Sequence, residues 1–118
     1  MFKQFKRYFR KSQASTCDSC SIDASPATHE DFLLMRDGIR GWSVVREDGI
    51  RKIERTFDFV DFKTAADFCA KVGHLAEEFN HHPEIRLQWG SCQVLWWSHG
   101  IKDFTLRDLD LAAACNKI

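Results

Sequence analysis

No run of apolar residues in this sequence approaches the roughly 20 that span a bilayer, and no hydrophobic stretch suits a secretory signal. Net charge is absent as well, because 17 basic side chains balance 17 acidic ones. A balanced chain creates no long-range field that would attract nucleic acid or a membrane surface as a whole. These absences predict a cytoplasmic protein with no membrane span and no nucleic-acid partner.

The sequence also has few patterns that would hold a metal ion. Of its five cysteines, only Cys17 and Cys20 form a C-x-x-C pair, which could bind zinc or cycle as a redox disulfide. Structural zinc needs four ligands, and the sequence has no second C-x-x-C. We therefore expect no metal there. The single cysteines Cys69, Cys92 and Cys115 should behave as small buried hydrophobes.

The composition is sufficient for one folded domain. A chain of 118 residues with 44% apolar residues can bury a single modest core but not two. Met1 to Lys11 is basic and aromatic, which fits a membrane-surface or RNA-binding segment, although a solvated tail is the interpretation we favour. The sequence predicts a flexible extension over residues 1–26, which contains the C-x-x-C pair, and a domain over residues 27–118.

The first half of the domain has clear boundary signals. Thr28 can cap a short helix. Residues 42–47 and 53–59 have strand patterns, and the second alternates apolar with polar side chains. Asp48-Gly49 between them is a strong hairpin signal. We predict a helix followed by a two-stranded hairpin.

The second half repeats this order with a longer helix. Asp61 can cap a helix whose apolar residues recur every three or four positions as far as Phe79. Strands are predicted near residues 85–89 and 92–99, and Thr105 can cap a final helix. The resulting order, α-β-β-α-β-β-α, predicts an α+β domain with three helices packed on one face of a four-stranded antiparallel sheet.

The fourth predicted strand is apolar on both of its faces. Val94 and Trp96 share one parity, and Leu95 and Trp97 share the other. Because helices cover only one face of the predicted sheet, we expect a second subunit to cover part of the other.

Titratable side chains are concentrated in one stretch of the chain. Imidazole, with an unperturbed pKa of about 6.5, can both give and take protons at neutral pH, so a reaction that moves protons is the first hypothesis. The stretch contains five titratable side chains of interest, with Pro83 and Trp89 among them. In order, the residues are Glu77, His81, His82, Pro83, Trp89, His99 and Asp108.

The spacing of these residues resembles the signature of the pterin-4a-carbinolamine dehydratases, also called 4a-hydroxytetrahydrobiopterin dehydratases. The signature reads Glu, three residues, His-His-Pro, five residues, Trp, nine residues, His, eight residues, Asp. The resemblance extends from about Cys17 to Ile118. It implies a hydro-lyase that converts a 4a-hydroxytetrahydropterin to the quinonoid dihydropterin, in pterin cofactor recycling.

The resemblance also carries expectations about partners. The pterin would be the substrate, and neither a cofactor nor a metal is implied. The family forms homodimers and homotetramers, and its activity serves aromatic amino-acid hydroxylases. Animal members also act as dimerisation cofactors of a transcription factor, and some relatives are assembly factors with a degraded site. A non-catalytic binding protein is therefore the alternative hypothesis, although the complete histidine set favours the enzyme.

Within the signature, the family resemblance and the general chemistry of imidazole suggest a division of roles. We expect His81 and His99 to be the acid-base pair, with His82 mainly binding and orienting the pterin. Glu77 lies four residues before His81, the helical spacing at which a carboxylate can contact and tune an imidazole. Pro83 fixes the exit from the helix and is placed with the substrate-binding residues.

Three further residues are considered for the substrate site. Trp42 could form a wall for a flat bicyclic ligand or belong to the core, and Trp89 is assigned to the core or the pocket wall. Asp108 is the third residue of a predicted capping box, so its role near the site is expected to be structural. The histidines could instead bind zinc or iron, but adjacent histidines normally point apart.

Overall fold

The computed structural model describes residues 24–118, so the C-x-x-C pair and most of the predicted extension lie outside the described residues. The elements are α1 (His29–Leu34), β1 (Ser43–Glu47), β2 (Ile50–Asp58), α2 (Phe62–Glu78), β3 (Glu84–Gln88), β4 (Ser91–Trp96) and α3 (Leu106–Cys115). This is the predicted α+β class and the predicted element order, and both are confirmed. Within residues 24–118 no helix is long and apolar enough to cross a membrane.

The predicted boundary signals form the expected local contacts. Thr28 and Asp31 make a reciprocal capping box at the start of α1. Asp61 accepts a hydrogen bond from the backbone N–H of Thr64 at the start of α2. Asp48 and Gly49 both have positive φ angles, of 53° and 78°, as a tight hairpin turn requires. Local chemistry therefore fixes where these elements begin and turn.

The four strands are all antiparallel and lie in the order β1-β2-β4-β3. Ile53 of β2 lies opposite Val44 of β1 and Trp96 of β4, so these residues share one sheet face. That face and the inner sides of α2 and α3 form the core. Its members include Ile53, Val72, Ala76, Cys92, Val94, Trp96, Leu109 and Ala112.

The other face, which we call the open face, is partly covered by its own polar side chains. Leu95 has no exposed surface, and its neighbours across the sheet are Glu54 and Glu84. The Lys52 ammonium lies 4.0 Å from the centre of a Trp97 ring and is itself buried. The apolar residues of this face are thus largely shielded within one chain. The second subunit stays a prediction.

The last part of β4 differs from the prediction. The strand ends at Trp96 rather than His99. Ser98 forms an isolated bridge with Asp103, and Lys102, with a positive φ of 56°, closes the turn between them. This turn places His99 outside the sheet, at the end of β4 that lies near the C-terminal end of α2.

Candidate active site

The two adjacent histidines follow a turn that ends α2. Asn80 has a φ of 50°, and its backbone N–H donates to the Glu77 carbonyl. The N–H of His81 donates to the Ala76 carbonyl at 3.1 Å. These two bonds define a Schellman motif, which reverses the chain direction at the helix end. As a result, His81 lies in the interior while His82 lies at the surface.

His81 belongs to a buried hydrogen-bond network. Its side chain has no exposed surface, and its Nε2 lies 2.6 Å from Oδ1 of the equally buried Asp108. Its ring stacks on Trp96 with a centroid distance of 5.7 Å. The other oxygen, Oδ2, accepts hydrogen bonds from Ser98 Oγ at 2.7 Å and from the Thr105 backbone N–H at 2.8 Å. We call His81 and Asp108 the interior pair.

A second group lies at the surface, and we call Glu77, His82 and His99 the surface cluster. Nε2 of His82 lies 2.5 Å from Glu77 Oε2, and both side chains are more than half exposed. Nε2 of His99 lies 3.2 Å from the backbone oxygen of His82, and its ring stacks on Trp97 with a centroid distance of 4.6 Å. The cluster therefore places the exposed His99 ring against the backbone of His82, whose own ring is also exposed.

The partners of the two exposed rings determine where each ring carries its hydrogen. A carbonyl oxygen and an ionised carboxylate can only accept hydrogen bonds, so Nε2 of both His82 and His99 must donate. Nδ1 is then the nitrogen of each ring that can exchange a proton with a ligand. The surface cluster thus has the chemistry of a general acid-base site.

The structure corrects one predicted contact. Glu77 contacts His82, not His81, and the carboxylate beside His81 is Asp108. The helical spacing of four residues does not apply here, because the helix ends at Glu78 and the Schellman turn redirects the next residues. Asp108 has the predicted structural position, with its Oδ2 on the Thr105 N–H.

The two tryptophans that the sequence analysis considered for the substrate site lie apart from the histidines. Trp42 is buried in the core, where its indole N–H donates to Asn116 Oδ1 at 2.9 Å and its ring forms a T-shaped contact with Phe57. Trp89 is 70% exposed in the turn between β3 and β4, at the opposite end of β4 from His99. The core alternative therefore describes Trp42, whereas Trp89 does not belong to the core, and its assignment to a pocket wall stays a prediction. Pro83 is half-buried beside His82.

Two residues of the site went unrecognised in the sequence. Ser98 shares the parity of the core residues Val94 and Trp96, and an inward-facing polar residue in an apolar strand needs a partner. Arg107 is almost fully buried and donates to the Phe79 carbonyl at the end of α2. The strand parity could have revealed Ser98, but no local signal indicates the burial of Arg107.

The metal alternative requires all three histidines to converge, and the structure separates His81 from His82. His81 is directed to Asp108 in the interior, while His82 is directed to Glu77 at the surface. Among residues 24–118 no group of three or more histidine, cysteine or acidic side chains is arranged to hold a metal ion. The donor set therefore does not fit zinc or iron.

Comparison with known proteins assigns the chain to a family. The sequence profile described as "Pterin 4 alpha carbinolamine dehydratase" matches residues 24–118. This chain belongs to that family. Its members are pterin-4a-carbinolamine dehydratases, which are lyases, so the predicted family and enzyme class are both confirmed.

Individual relatives agree with this assignment. A pterin-4-alpha-carbinolamine dehydratase assigned in Photobacterium profundum is 42% identical, over 86% of this chain and 90% of the relative. One from Vibrio vulnificus is 38% identical, over 86% and 93%. A crystal structure titled transcriptional coactivator/pterin dehydratase, from Brucella melitensis, has a TM-score of 0.68 and 29% identity, covering 79% of this chain and 97% of its own.

Proposed function

We propose that this chain removes water from 4a-hydroxytetrahydrobiopterin and that His82 and His99 exchange the protons. The observation that supports this is the surface cluster, in which the His99 ring contacts the backbone of His82 and each of the two exposed imidazoles directs Nε2 to a protein acceptor. The proposal assigns to His82 the role that the sequence suggested for His81. The reason is burial, because a side chain with no exposed surface cannot reach a ligand unless the end of α2 moves.

The reaction needs one acid and one base. Hydroxide is a poor leaving group at neutral pH, so an imidazolium must protonate the hydroxyl on C4a, which then leaves as water. His82 suits this step because the Glu77 carboxylate lies beside the positive charge that the acid carries. His99 would accept the proton of the adjacent ring nitrogen as the carbon–nitrogen double bond forms. Each such group typically contributes about 10²- to 10⁴-fold.

The interior pair would hold both exposed histidines in place. Asp108 binds His81, which directly precedes His82, and Ser98, which directly precedes His99. One buried carboxylate thus connects the backbone at the end of α2 to the backbone beyond β4. Such a link fixes the relative position of two acid-base groups, and misplacement of such groups by about 1 Å can cost about 10²-fold in rate. Asp108 is therefore a positioning residue in this proposal.

Elimination of water transfers no electrons, so the proposed reaction uses no redox cofactor, and the pterin is the substrate. A homodimer or homotetramer, a role in pterin recycling beside an aromatic amino-acid hydroxylase, and a cytoplasmic location belong to the same proposal. The alternative is a binding role, because the Brucella melitensis neighbour is titled coactivator as well as dehydratase. Retention of the exposed histidine pair favours the enzyme.

A dehydration assay on purified protein tests this proposal. We expect His82→Ala and His99→Ala each to lower turnover by about 10²-fold or more, the lower end of the range for acid-base groups, with an unchanged circular dichroism spectrum. His74→Ala is the matched control, since His74 is an exposed histidine within α2, outside the surface cluster. It should turn over like the wild type.

Two results would contradict the proposal. Wild-type turnover in both surface variants, with loss of subunit association instead, would support the binding alternative. Loss of activity after exhaustive chelation, with recovery on adding zinc, would contradict a mechanism without metal. We expect chelated protein to retain full activity.

A further inference from the structure

Two cysteine side chains from different elements meet between α2 and the sheet. Cys69 lies in α2 and Cys92 in β4, and their sulfur atoms are 2.8 Å apart. A disulfide bond has a length of about 2.05 Å, so only a short movement separates these thiols from bonding distance. Neither is part of a disulfide in the structure.

The two thiols differ in their access to solvent. Cys92 has no exposed surface, whereas Cys69 is half-buried on the helix. Burial raises the pKa of the Cys92 thiol well above its usual range, so it is a poor first nucleophile. Burial likewise raises the pKa of Cys115 to about 12. A dissolved oxidant would therefore reach Cys69 first.

We propose that Cys69 and Cys92 are a site of reversible oxidation, where a hydroperoxide converts the two thiols into an intramolecular disulfide. Cys69 attacks the oxygen–oxygen bond, which gives a sulfenic acid and releases water or an alcohol. The Cys92 thiol then displaces the sulfenic hydroxyl as a second water while the sulfur–sulfur bond forms. The two sulfurs lose two electrons, and the hydroperoxide gains them. A dithiol reductant reverses the change.

The disulfide would join the two elements that lead to the surface cluster. Cys69 and Glu77 lie on the same helix, and β4, which contains Cys92, leads to His99. A cross-link between them restricts the unfolded chain, so the oxidised form should be more stable than the reduced form. This inference does not depend on the proposed dehydratase activity, because thiol chemistry and stability are measured without substrate.

Mass spectrometry after hydrogen peroxide treatment tests the site. Trypsin places Cys69 in the peptide 64–71 and Cys92 in the peptide 87–102. We expect treated full-length protein, alkylated before digestion, to yield these two peptides joined and two hydrogens lighter than their sum. Addition of dithiothreitol should release both. The melting temperature should rise by about 4 °C or more on oxidation, as expected for a disulfide in a small domain.

Variants separate this pair from the other thiols. Cys69→Ser should abolish both the joined peptide and the rise in melting temperature, whereas Cys115→Ser should preserve them. Overoxidation of Cys69 to a sulfinic acid with Cys92 unchanged would overturn the proposal. So would a disulfide that joins Cys69 to Cys17 or Cys20.

Discussion

The interior pair and the surface cluster contain adjacent histidines in opposite environments. The side chain of His81 is 0% exposed beside Asp108, and that of His82 is 53% exposed beside Glu77. Both rings direct Nε2 to a carboxylate, so the chemistry of the contact is the same and only its surroundings differ. The Schellman turn at Asn80 produces the difference, because it redirects the chain so that the His81 side chain enters the interior and the His82 side chain lies at the surface.

Because of this difference, substitutions at the interior pair and at the surface cluster should affect stability to different extents. A carboxylate that is fully buried and bonded to three groups stabilises the fold, since its removal takes a charged acceptor away from buried donors. An exposed carboxylate in contact with one imidazole contributes little to stability, because water and salt screen the interaction. Stability and activity measurements can therefore separate the two regions.

The largest expected effect is at the interior pair. Asp108→Ala removes the acceptor for His81 Nε2, Ser98 Oγ and the Thr105 N–H, all of which are buried. We expect the free energy of unfolding to fall by about 3 kcal/mol or more, the usual cost of breaking a buried charged contact. Urea denaturation followed by tryptophan fluorescence measures it.

The matched variant at the surface is Glu77→Ala. It should change the free energy of unfolding by less than about 1 kcal/mol, as exposed ion pairs do. Equal losses in Asp108→Ala and Glu77→Ala would show that burial does not distinguish the two carboxylates. His81→Ala should lower the free energy of unfolding by about as much as Asp108→Ala. A histidine that served catalysis alone would contribute little to stability.

A smaller effect is expected on turnover from Glu77→Gln, which keeps the shape of the side chain but removes its charge. The amide can still accept the His82 Nε2 hydrogen, yet it no longer balances the charge of the proposed acid. We expect turnover to fall by about threefold to tenfold, less than on loss of the histidine itself, with an unchanged melting temperature. Steady-state kinetics over a pH series measures it.

Two outcomes of the Glu77→Gln kinetics are informative. If the Michaelis constant alone rises, Glu77 contributes to binding rather than to the chemical step. Unchanged kinetics would contradict a role for Glu77 in proton transfer.

The sequence predicted much of the fold because its boundaries depend on local chemistry. The helix caps and the hairpin turn depend only on contacts between residues close in sequence. They are formed by Thr28, Asp61 and Asp48-Gly49, and each has the predicted structure. Strand parity likewise grouped Val94 with Trp96, and both side chains lie in the core. These features need no knowledge of distant contacts.

The partners within the site could not be predicted in the same way. Glu77 was paired with His81 by helical spacing, but the helix ends before the spacing applies. The contact between His81 and Asp108 joins residues 27 positions apart, so it depends on how α3 lies against α2. Trp89 fits the family signature but is exposed far from His99 along β4, which spacing alone does not reveal.

The smallest expected effect is at Glu47, whose exposure lies between those of the interior pair and the surface cluster. Hydrogen bonds from Arg86, and then Lys52, lower the pKa of this carboxyl. A lowered folded-state pKa stabilises the fold above the unfolded value of about 4.3 and loses that effect as pH falls through the folded value. Glu47→Gln should therefore be less stable than wild type at pH 7, by under about 1 kcal/mol. The difference should shrink between about pH 5 and pH 3. The midpoints of urea denaturation at pH 7 and at about pH 3 measure this difference in stability. A difference that is unchanged at about pH 3 would contradict the proposed effect of the Glu47 charge.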